Sequence, residues 1–527
     1  MSPSNSVSLE EEKEKGFVHD SNVDVVALPE ADPDTVIVNR WGYFGPVLER
    51  LFASGVEARG VERVPEDQRS NKNQWNNKDS WVQGFIERSE DSSSVNCVLT
   101  TIPIGVLAQE YYTLTLPHAI ATIMCFGALG ALCVAFISTL GPKTGLRTMI
   151  ITRYSSGYIG GTIYSVLNVL TQLGFSVTAV ILGGQTLASI NPGTLPLVVG
   201  IIIIAICSLV PCFIGYEMVH IYERYAWIVM VLVMLFLWGL GGRAGFDMDI
   251  QKPLEATGRS LSGDVLSFGG IIFGSFTGWA PVAADYNCRL PANTSSIKVF
   301  FLTFFGLFIP ICFVEILGAA LMTISDPAYA EVIASGDTGA LLSQVVSPWK
   351  GGGKFVLVLL AFSVVANNIP NTYSAGISVQ ALGRPFAMVP RFLWVFLAFV
   401  AYTVAGVAGR EHFSAILSNF LSILSYWTAF FIVIVAEEHF IFRRKNGPLG
   451  GYNLDDYDTP SRLPLGCAGV LAGCFGVAGA VVWYTGPLGM DAGADGYGAD
   501  LGFELAAAFS AFMFPPLRWL EIRLTGR

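Results

Sequence analysis

Three asparagines surround a proline near residue 370, inside a long apolar stretch of the chain. Asn367 and Asn371 stand four residues apart, and Asn368 stands three residues before Asn371. On a helix these spacings bring side chains to one sector, so three carboxamides would project together. Pro370 has no amide hydrogen to donate to the carbonyl of Ala366, which leaves that oxygen free as well. The group could form interhelical hydrogen bonds beside a kink, but we interpret it as a polar cradle for a ligand with several donors and acceptors.

A second group of residues ends a glycine stripe in another apolar stretch. Gly270, Gly274 and Gly278 recur at every fourth position, and Trp279 and Pro281 follow them. Glycines at this spacing form a flat helix face that lets another helix backbone approach closely. A proline interrupts a helix, so Gly278 and Pro281 predict a break beside Trp279. Near a carboxamide cluster, the planar indole would offer a stacking surface for a planar heterocycle.

Two carboxylic acids are candidates for gating or coupling. Glu315 lies near the middle of an apolar stretch, where a carboxyl must be neutral or paired, so it is a candidate for taking up a coupling proton. Asp285 lies at the end of the stretch that contains Trp279, where an ion pair could act in gating or be structural. The five histidines are far apart and form no HExxH pattern. We therefore expect no catalytic residue, no metal and no cofactor.

The composition is that of a membrane protein. Of 527 residues, 14% are charged and 52% are hydrophobic, whereas soluble proteins carry about 25% charged residues. The net charge of -10 comes mainly from residues 1–94, which hold 10 Lys and Arg against 18 Asp and Glu. An acidic tail therefore precedes a nearly neutral apolar body. The only run of basic residues in the sequence is at 443–445. Nucleic-acid binding needs larger basic clusters, so we expect no nucleic-acid partner.

Twelve stretches have the roughly 20 apolar residues that a membrane-spanning helix needs. We expect an all-α polytopic membrane protein with three regions: an acidic cytoplasmic tail (1–94), a ten-helix transport core (95–438), and a C-terminal region (439–527) with a cytoplasmic loop, two transmembrane helices and a short tail. The predicted spans lie at 95–116, 118–140, 156–187, 196–214, 219–241, 263–285, 298–324, 354–382, 390–409, 413–438, 464–485 and 499–519.

The distribution of positive charge predicts the orientation of these spans. If the tail is cytoplasmic, the even-numbered loops and the C-terminus are cytoplasmic too. Beyond the tail they carry 15 Lys and Arg, against 6 in the outer loops. Cytoplasmic loops are enriched in these residues. We therefore expect a multi-pass protein of the plasma membrane with both termini in the cytoplasm.

Two of the predicted spans are interrupted at matching positions. Pro103 with Gly105 interrupts span one, and Gly278 with Pro281 interrupts span six. Broken helices at corresponding places in two halves mark the binding sites of many secondary transporters. The two spans are five apart, which is the pattern expected if spans one to five and six to ten are inverted repeats.

Several segments together resemble the fungal purine-cytosine permeases of the nucleobase-cation symporter family. The two main ones are residues 278–286 (GWAPVAADY) and residues 367–374 (NNIPNTYS), with support from 60–69, 141–147 and 222–227. The resemblance covers the chain from about Gly60 onward. It implies the five-plus-five inverted-repeat (LeuT-like) fold plus two extra helices, and the import of purines and cytosine with protons by alternating access.

The resemblance also implies roles for individual residues. In that family the tryptophan of span six stacks on the base, and the asparagines of span eight hydrogen-bond it, which maps onto Trp279 and the three asparagines near Pro370. Thr100 stands where family members often carry a span-one serine that contacts substrate. The glutamate that opens span five, Glu223, is expected to serve gating or folding rather than base contact.

Departures from the family pattern leave the substrate open. Ala179 occupies a span-three position where many relatives carry asparagine, and residues 101–105 also differ from the usual span-one sequence. The first hypothesis is a proton-coupled importer of cytosine, adenine, guanine and hypoxanthine, with sodium as the alternative coupling ion. The second is a transporter of a related heterocycle such as pyridoxine or a nucleoside. The third is a nutrient sensor that binds a base without moving it. In all three hypotheses the protein binds a small molecule, and its other predicted partner is the lipid bilayer.

Overall fold

The fold is described by a computed structural model that covers residues 61–69, 96–211, 216–485 and 499–527. Every long element in these ranges is an α-helix, and twelve of them are numbered here in chain order. They are α1 (Ile102–Glu110), α2 (Leu116–Ser138), α3 (Arg153–Ile190), α4 (Leu197–Leu209), α5 (Tyr216–Ala244), α6 (Arg259–Thr277), α7 (Ser296–Leu321), α8 (Gly351–Ala381), α9 (Arg391–Gly409), α10 (Phe413–Glu437), α11 (Cys467–Thr485) and α12 (Gly502–Thr525).

Each predicted span contains one of these helices, but not all of them are long enough to cross a bilayer. Among the described residues, eight helices have the required length and hydropathy, namely α2, α3 and α5 to α10. Two more, α4 and α11, are apolar but shorter. The described part of α1 has nine residues, and α12 carries Pro515, Pro516 and Arg518. The all-helical class is therefore observed, while the count of twelve spans stays a prediction.

The helices bury apolar side chains inside the bundle and also present them on its outer surface. Close packing joins α3 to α8, α2 to α6 and α7, and α12 to α10 and α11. On the outside, Ile159, Leu232 and Phe512 are 70%, 61% and 80% exposed. An apolar exterior is stable in lipid, where every backbone polar group must be satisfied within the protein. The outer surface is thus the part that meets the bilayer.

The start of α1 differs from the sequence prediction. The chain is extended at Val98, passes through a single 3-10 turn at Leu99–Thr101, and becomes an α-helix from Ile102 onward. Pro103 lies in the first turn of that helix, where the missing amide hydrogen costs nothing. The interruption of span one therefore comes before Pro103, and Pro103 does not break a helix.

Gly105 brings α1 and α7 into backbone contact. A Cβ atom at Gly105 would lie 1.8 Å from the carbonyl oxygen of Glu315, and one at Gly318 would lie 2.0 Å from the carbonyl oxygen of Ile102. Real Cβ atoms do not approach backbone this closely, so both positions require glycine. Gly105 therefore allows the backbones of α1 and α7 to approach closely. The sequence prediction that Gly105 interrupts the helix was wrong.

The helix that precedes Trp279 ends where its glycines predict. Helix α6 stops at Thr277 with Gly278 as its C-terminal cap, and a 3-10 turn at Ala280–Val282 follows. A Cβ atom at Gly274 would lie 2.3 Å from the carbonyl oxygen of Leu421 in α10, so the glycine stripe does admit a neighbouring helix backbone. Helix α8, in contrast, continues on both sides of Pro370.

One end of the bundle gathers the segments predicted to be cytoplasmic. Arg69, only 1% exposed, donates to the carbonyl oxygens of Pro142 (2.9 Å) and Leu290 (3.3 Å). These carbonyls belong to the loop after α2 and the loop after α6. Arg63 lies 3.6 Å from Asp455 in the loop after α10. The segment 61–69 and these three even-numbered loops therefore lie on one side.

The predicted outer loops meet at the opposite end. In the turn between α1 and α2, the amide of Thr115 donates to Glu255, in the segment between α5 and α6 (2.7 Å). Lys354 at the start of α8 donates to Asn191 at the end of α3. The alternation of sides therefore agrees with the predicted topology. Which side faces the cytoplasm stays a prediction.

A buried cluster of charges holds α12 to the end of α10. Arg518, 0% exposed, donates to Glu438 from Nε (2.9 Å) and Nη2 (3.1 Å), and to Glu521 from Nη1 (3.0 Å). Arg443 donates to the same Glu438 (2.7 Å). Glu521 also accepts from the amide of Gly466 (2.7 Å). Each charged group in this cluster has a partner of opposite charge, which is the condition for burying it.

Candidate substrate site

A cavity of about 680 Å³, its open mouth included, lies where the break after α6 meets the start of α1 and the middle of α8. Six helical segments contribute to its wall. The lining residues are Asn96, Thr100, Thr101 and Ile104; Gln172, Phe175 and Thr178; Ser275, Gly278, Trp279, Val282 and Tyr286; Ile311 and Glu315; Asn367, Pro370, Asn371 and Ser374; and Leu417.

Most of the residues predicted to contact substrate share this cavity. Trp279, Asn367, Asn371 and Thr100 all line it, although they lie on three separate segments of the chain. The side chain of Trp279 is half-buried, and its ring centroid lies 6.3 Å from that of Tyr286 at an interplanar angle of 55°. An aromatic side chain and two carboxamides therefore line the same cavity.

Asn368 is the exception among the predicted contact residues. Its side chain is 0% exposed, it is not part of the cavity wall, and neither amide atom has a hydrogen-bond partner among the described residues. Successive residues on an α-helix point about 100° apart, so Asn368 cannot share the direction of Asn367. The three carboxamides thus divide into a pair in the wall and one buried behind it.

The wall pair on α8, Asn367 and Asn371, is joined by a hydrogen bond. The Nδ2 of Asn371 donates to the Oδ1 of Asn367 over 3.3 Å, which is the contact expected for side chains four residues apart on a helix. Pro370 lies between them in the wall. The pair presents amide groups of fixed relative position, as recognition of a base edge requires.

Glu315 places a carboxyl group in the wall from α7. Its side chain is 0% exposed, and the hydroxyl of Ser275 on α6 lies 2.8 Å from Oε1. The second oxygen, Oε2, has no hydrogen-bond partner among the described residues. The carboxyl therefore connects the two helices that flank the break, next to the backbone contact between Gly105 and α7.

Of the remaining gating candidates, Asp285 does not line the cavity. Asp285 accepts from the amide of Thr148 (2.7 Å) and from its hydroxyl (3.0 Å), and it lies 3.9 Å from Arg147. It therefore ties the loop after α6 to the segment between α2 and α3. The side chain of Glu223 lies outside the described residues.

Sequence reasoning missed the polar residues that α3 and α6 contribute. Gln172 of α3 and Ser275 of α6 line the cavity, and neither was selected as a site residue. Asn168 and Gln172, four residues apart within an apolar span, carry the same signal that singled out the asparagines of α8. Ser275 directly follows Gly274 in the glycine stripe. Ala179, by contrast, is buried and is not among the lining residues.

Broken helices that converge on a partly polar cavity at the centre of a membrane bundle define a secondary transporter. The fold agrees with that of Mhp1, a nucleobase-cation-symport-1 family transporter solved in a closed conformation with bromovinylhydantoin bound. The TM-score is 0.61 at 13% identity, over 90% of this chain and 96% of that one. This likeness confirms the LeuT-like fold.

Sequence comparison gives the family. Residues 93–498 match the family described as permease for cytosine/purines, uracil, thiamine, allantoin. The purine-cytosine permease fcyB of Emericella nidulans is 38% identical over 91% of this chain and 92% of its own length. The vitamin B6 transporter TPN1 of Saccharomyces cerevisiae is 30% identical over 93% of this chain and 91% of its own length. The chain belongs to this family of permeases, and it is a transporter rather than an enzyme.

The contact between α1 and α7 makes a testable prediction about Gly105. Gly105→Ala forces a methyl group against the carbonyl of Glu315, so we expect it to lower the free energy of unfolding by about 1–3 kcal/mol, as overpacking does, and to reduce transport. Thermal unfolding of the purified protein measures the loss. Gly239→Ala, at a position in α5 where an added Cβ meets nothing within 4 Å, is the matched control. Equal stability of the two variants would contradict the assigned role.

Proposed function

We propose that this protein imports nucleobases, namely cytosine, adenine, guanine and hypoxanthine, together with protons, by alternating access. The observation that carries the proposal is the cavity whose wall contains both Trp279 and the carboxamides of Asn367 and Asn371. Stacking of a base on an aromatic side chain contributes about 1–3 kcal/mol. A bidentate amide contact to a base edge contributes about 1–3 kcal/mol more. The purine-cytosine permease fcyB, with 38% identity, supports this substrate class.

Thr100 and Asn368 have different proposed roles in ligand binding. Thr100 lines the cavity from the turn before α1, where a hydroxyl can add a hydrogen bond to the bound base. Asn368 is buried behind the wall pair, so we propose that it supports the position of α8 rather than touching the ligand. Gly278 and Pro281 leave the backbone after α6 free of regular helix, which supplies further polar groups near the ligand.

Glu315 is the proposed acceptor of the coupling proton. A carboxylate with one unpartnered oxygen inside a membrane protein has a large desolvation cost, so a neutral carboxyl suits the geometry in this structure. When the cavity opens to water, the same group can ionise and release its proton. Because it joins α6 to α7 through Ser275, a change of its charge acts on the helices that surround the substrate. Asp285 and Glu223 are proposed to act in gating.

The proposed location is the plasma membrane, with both termini in the cytoplasm. The excess of Lys and Arg in the even-numbered loops supports this orientation. So does the common side on which segment 61–69 and these loops lie. In this orientation the acidic tail and the cluster around Arg518 face the cytoplasm.

Transport of vitamin B6 is the second candidate function. It is favoured by the 30% identity to the vitamin B6 transporter TPN1. A pyridine ring can also stack on Trp279. Competition by unlabelled pyridoxine, with none by adenine, would favour this candidate.

The test of nucleobase import is uptake of labelled cytosine and adenine by a permease-deficient yeast that produces this chain. Trp279→Ala is expected to raise the KM about 5- to 150-fold, because it removes the stacking energy. Trp279→Phe keeps an aromatic face and should retain most of the uptake. Trp394→Ala, on α9 and away from the cavity, is the matched control. Wild-type affinity in Trp279→Ala would overturn the site, and absence of uptake in the wild type would overturn the function.

A further inference from the structure

We propose that Gln172 is the residue of α3 that hydrogen-bonds the transported ligand, and that Asn168 and Ser378 hold its amide in position. The inference deepens the proposed function and rests on it, since it concerns recognition in the same cavity. It assigns to Gln172 a contact that sets ligand affinity, and to the other two residues a positioning role.

A chain of hydrogen-bonded polar side chains leads from the cavity wall into the interface between α3 and α8. The Nε2 of Gln172 donates to the Oδ1 of Asn168 (3.0 Å), and the Nδ2 of Asn168 donates to the hydroxyl of Ser378 (2.8 Å). The three side chains are 3%, 0% and 2% exposed. The chain is therefore shielded from bulk water, and Gln172 is its one member in the wall.

This arrangement fixes what Gln172 offers to a ligand. With Nε2 engaged, the carbonyl oxygen Oε1 is the end of the amide that is left to accept a hydrogen bond from the ligand. A serine hydroxyl can also donate, and the reversed chain would present Nε2 instead. In both arrangements one end of the amide is anchored and the other is left for the ligand. Such anchoring lowers the entropy lost on binding, because the side chain is already ordered.

The other wall residues of α3 are less suited than Gln172 to hydrogen-bond the ligand. The hydroxyl of Thr178 donates to the carbonyl oxygen of Phe175 (3.0 Å), and Phe175 itself is apolar. Ala179, which lies outside the wall, has no polar side-chain atom. Gln172 is therefore the residue on this helix with an anchored hydrogen-bonding group directed at the cavity.

The experiment measures ligand affinity in the purified full-length protein, by the thermal stabilisation that cytosine, adenine or pyridoxine produces. Gln172→Met keeps the length of the side chain and removes its hydrogen bonds, so affinity for each ligand that binds the wild type should fall about tenfold. Gln172→Asn, which keeps the amide but shortens its reach, is a second variant and should lose several-fold. If pyridoxine binds and the nucleobases do not, the proposal of nucleobase import is contradicted. The affinity of Gln172→Met for pyridoxine then still tests the role of Gln172.

The positioning role is tested by a double variant. Asn168→Leu should weaken binding several-fold, and Asn168→Leu combined with Gln172→Met should be no weaker than Gln172→Met alone, because Asn168 acts through Gln172. Thr162→Val is the matched control, since Thr162 also joins α3 to α8 by donating to the carbonyl of Leu382 (3.1 Å) but lies outside the cavity wall; its affinity should equal that of the wild type. Unchanged affinity in Gln172→Met, or additive losses in the double variant, would overturn the proposal.

Discussion

Glu315→Gln is expected to abolish proton-driven accumulation of substrate while leaving substrate binding and exchange intact. Glutamine has the shape of the neutral carboxylic acid and can keep the contact with Ser275, but it cannot bind or release a proton. A transporter that is fixed in the protonated form can still move loaded substrate in both directions. It can no longer use a proton gradient to concentrate it.

Two assays separate these properties. Accumulation of labelled substrate against its gradient, measured between about pH 5 and pH 8, should fall at least tenfold in Glu315→Gln and lose its dependence on pH. Exchange of labelled for unlabelled substrate in proteoliposomes, with no proton gradient, should stay within a few-fold of wild type. A buried ion without full compensation costs several kcal/mol, so a Glu315 that can no longer gain or lose a proton should have a large effect on accumulation.

Glu504→Gln is the matched control for Glu315→Gln. Glu504 lies on α12, and both of its carboxylate oxygens lack a hydrogen-bond partner among the described residues, yet it does not line the cavity. We expect it to keep pH-dependent accumulation. Accumulation in Glu315→Gln that still follows the proton gradient would refute the coupling role. Accumulation driven by a sodium gradient would identify sodium as the coupling ion.

Arg518→Met is expected to lower the free energy of unfolding by about 3–5 kcal/mol, the usual cost of removing one partner from a buried ion pair. Methionine fills much of the volume of arginine but leaves Glu521 without its cation and Glu438 with Arg443 as its one cationic partner. Thermal unfolding of the detergent-purified protein measures the effect. We also expect less protein at the cell surface, because a loss of this size greatly raises the unfolded fraction.

Arg523→Met is the control for this prediction. Arg523 lies on the same helix, five residues further on, but is exposed and stacks on Trp519 with 3.3 Å between its guanidinium carbon and the ring centroid. An exposed cation–π contact contributes about 0.5–1 kcal/mol, so its loss should be small. Equal destabilisation by the two substitutions would contradict the view that burial of the charge cluster holds α12 in place.

The residues that the sequence identified best are those whose chemistry conflicts with their surroundings. Trp279 follows a glycine stripe, and Asn367 and Asn371 interrupt an apolar span, so each was recognisable without a structure. Their roles in binding stay predictions, but their common place in one cavity is observed. Membership of the permease family, inferred from the same two segments, is confirmed by the match over residues 93–498.

Other features depended on which helices become neighbours. Asn368, like the asparagines beside it, is a polar residue within an apolar span. It lies outside the cavity because its side chain points in a different direction from α8. Gly105 looked like a helix breaker, because nothing in the local sequence indicates that the backbone of Glu315 will lie against it. The chain from Gln172 through Asn168 to Ser378 joins positions more than two hundred residues apart.

The membrane class, the all-helical class, the alternation of loops and the family could be predicted from the sequence, because each of these depends on local composition and short-range spacing. Which polar groups line the cavity and which are buried behind its wall could not be predicted in that way. That choice depends on helix rotation and on contacts between distant segments. A span of apolar residues specifies burial in the membrane, but it does not specify the neighbour against which each side is buried.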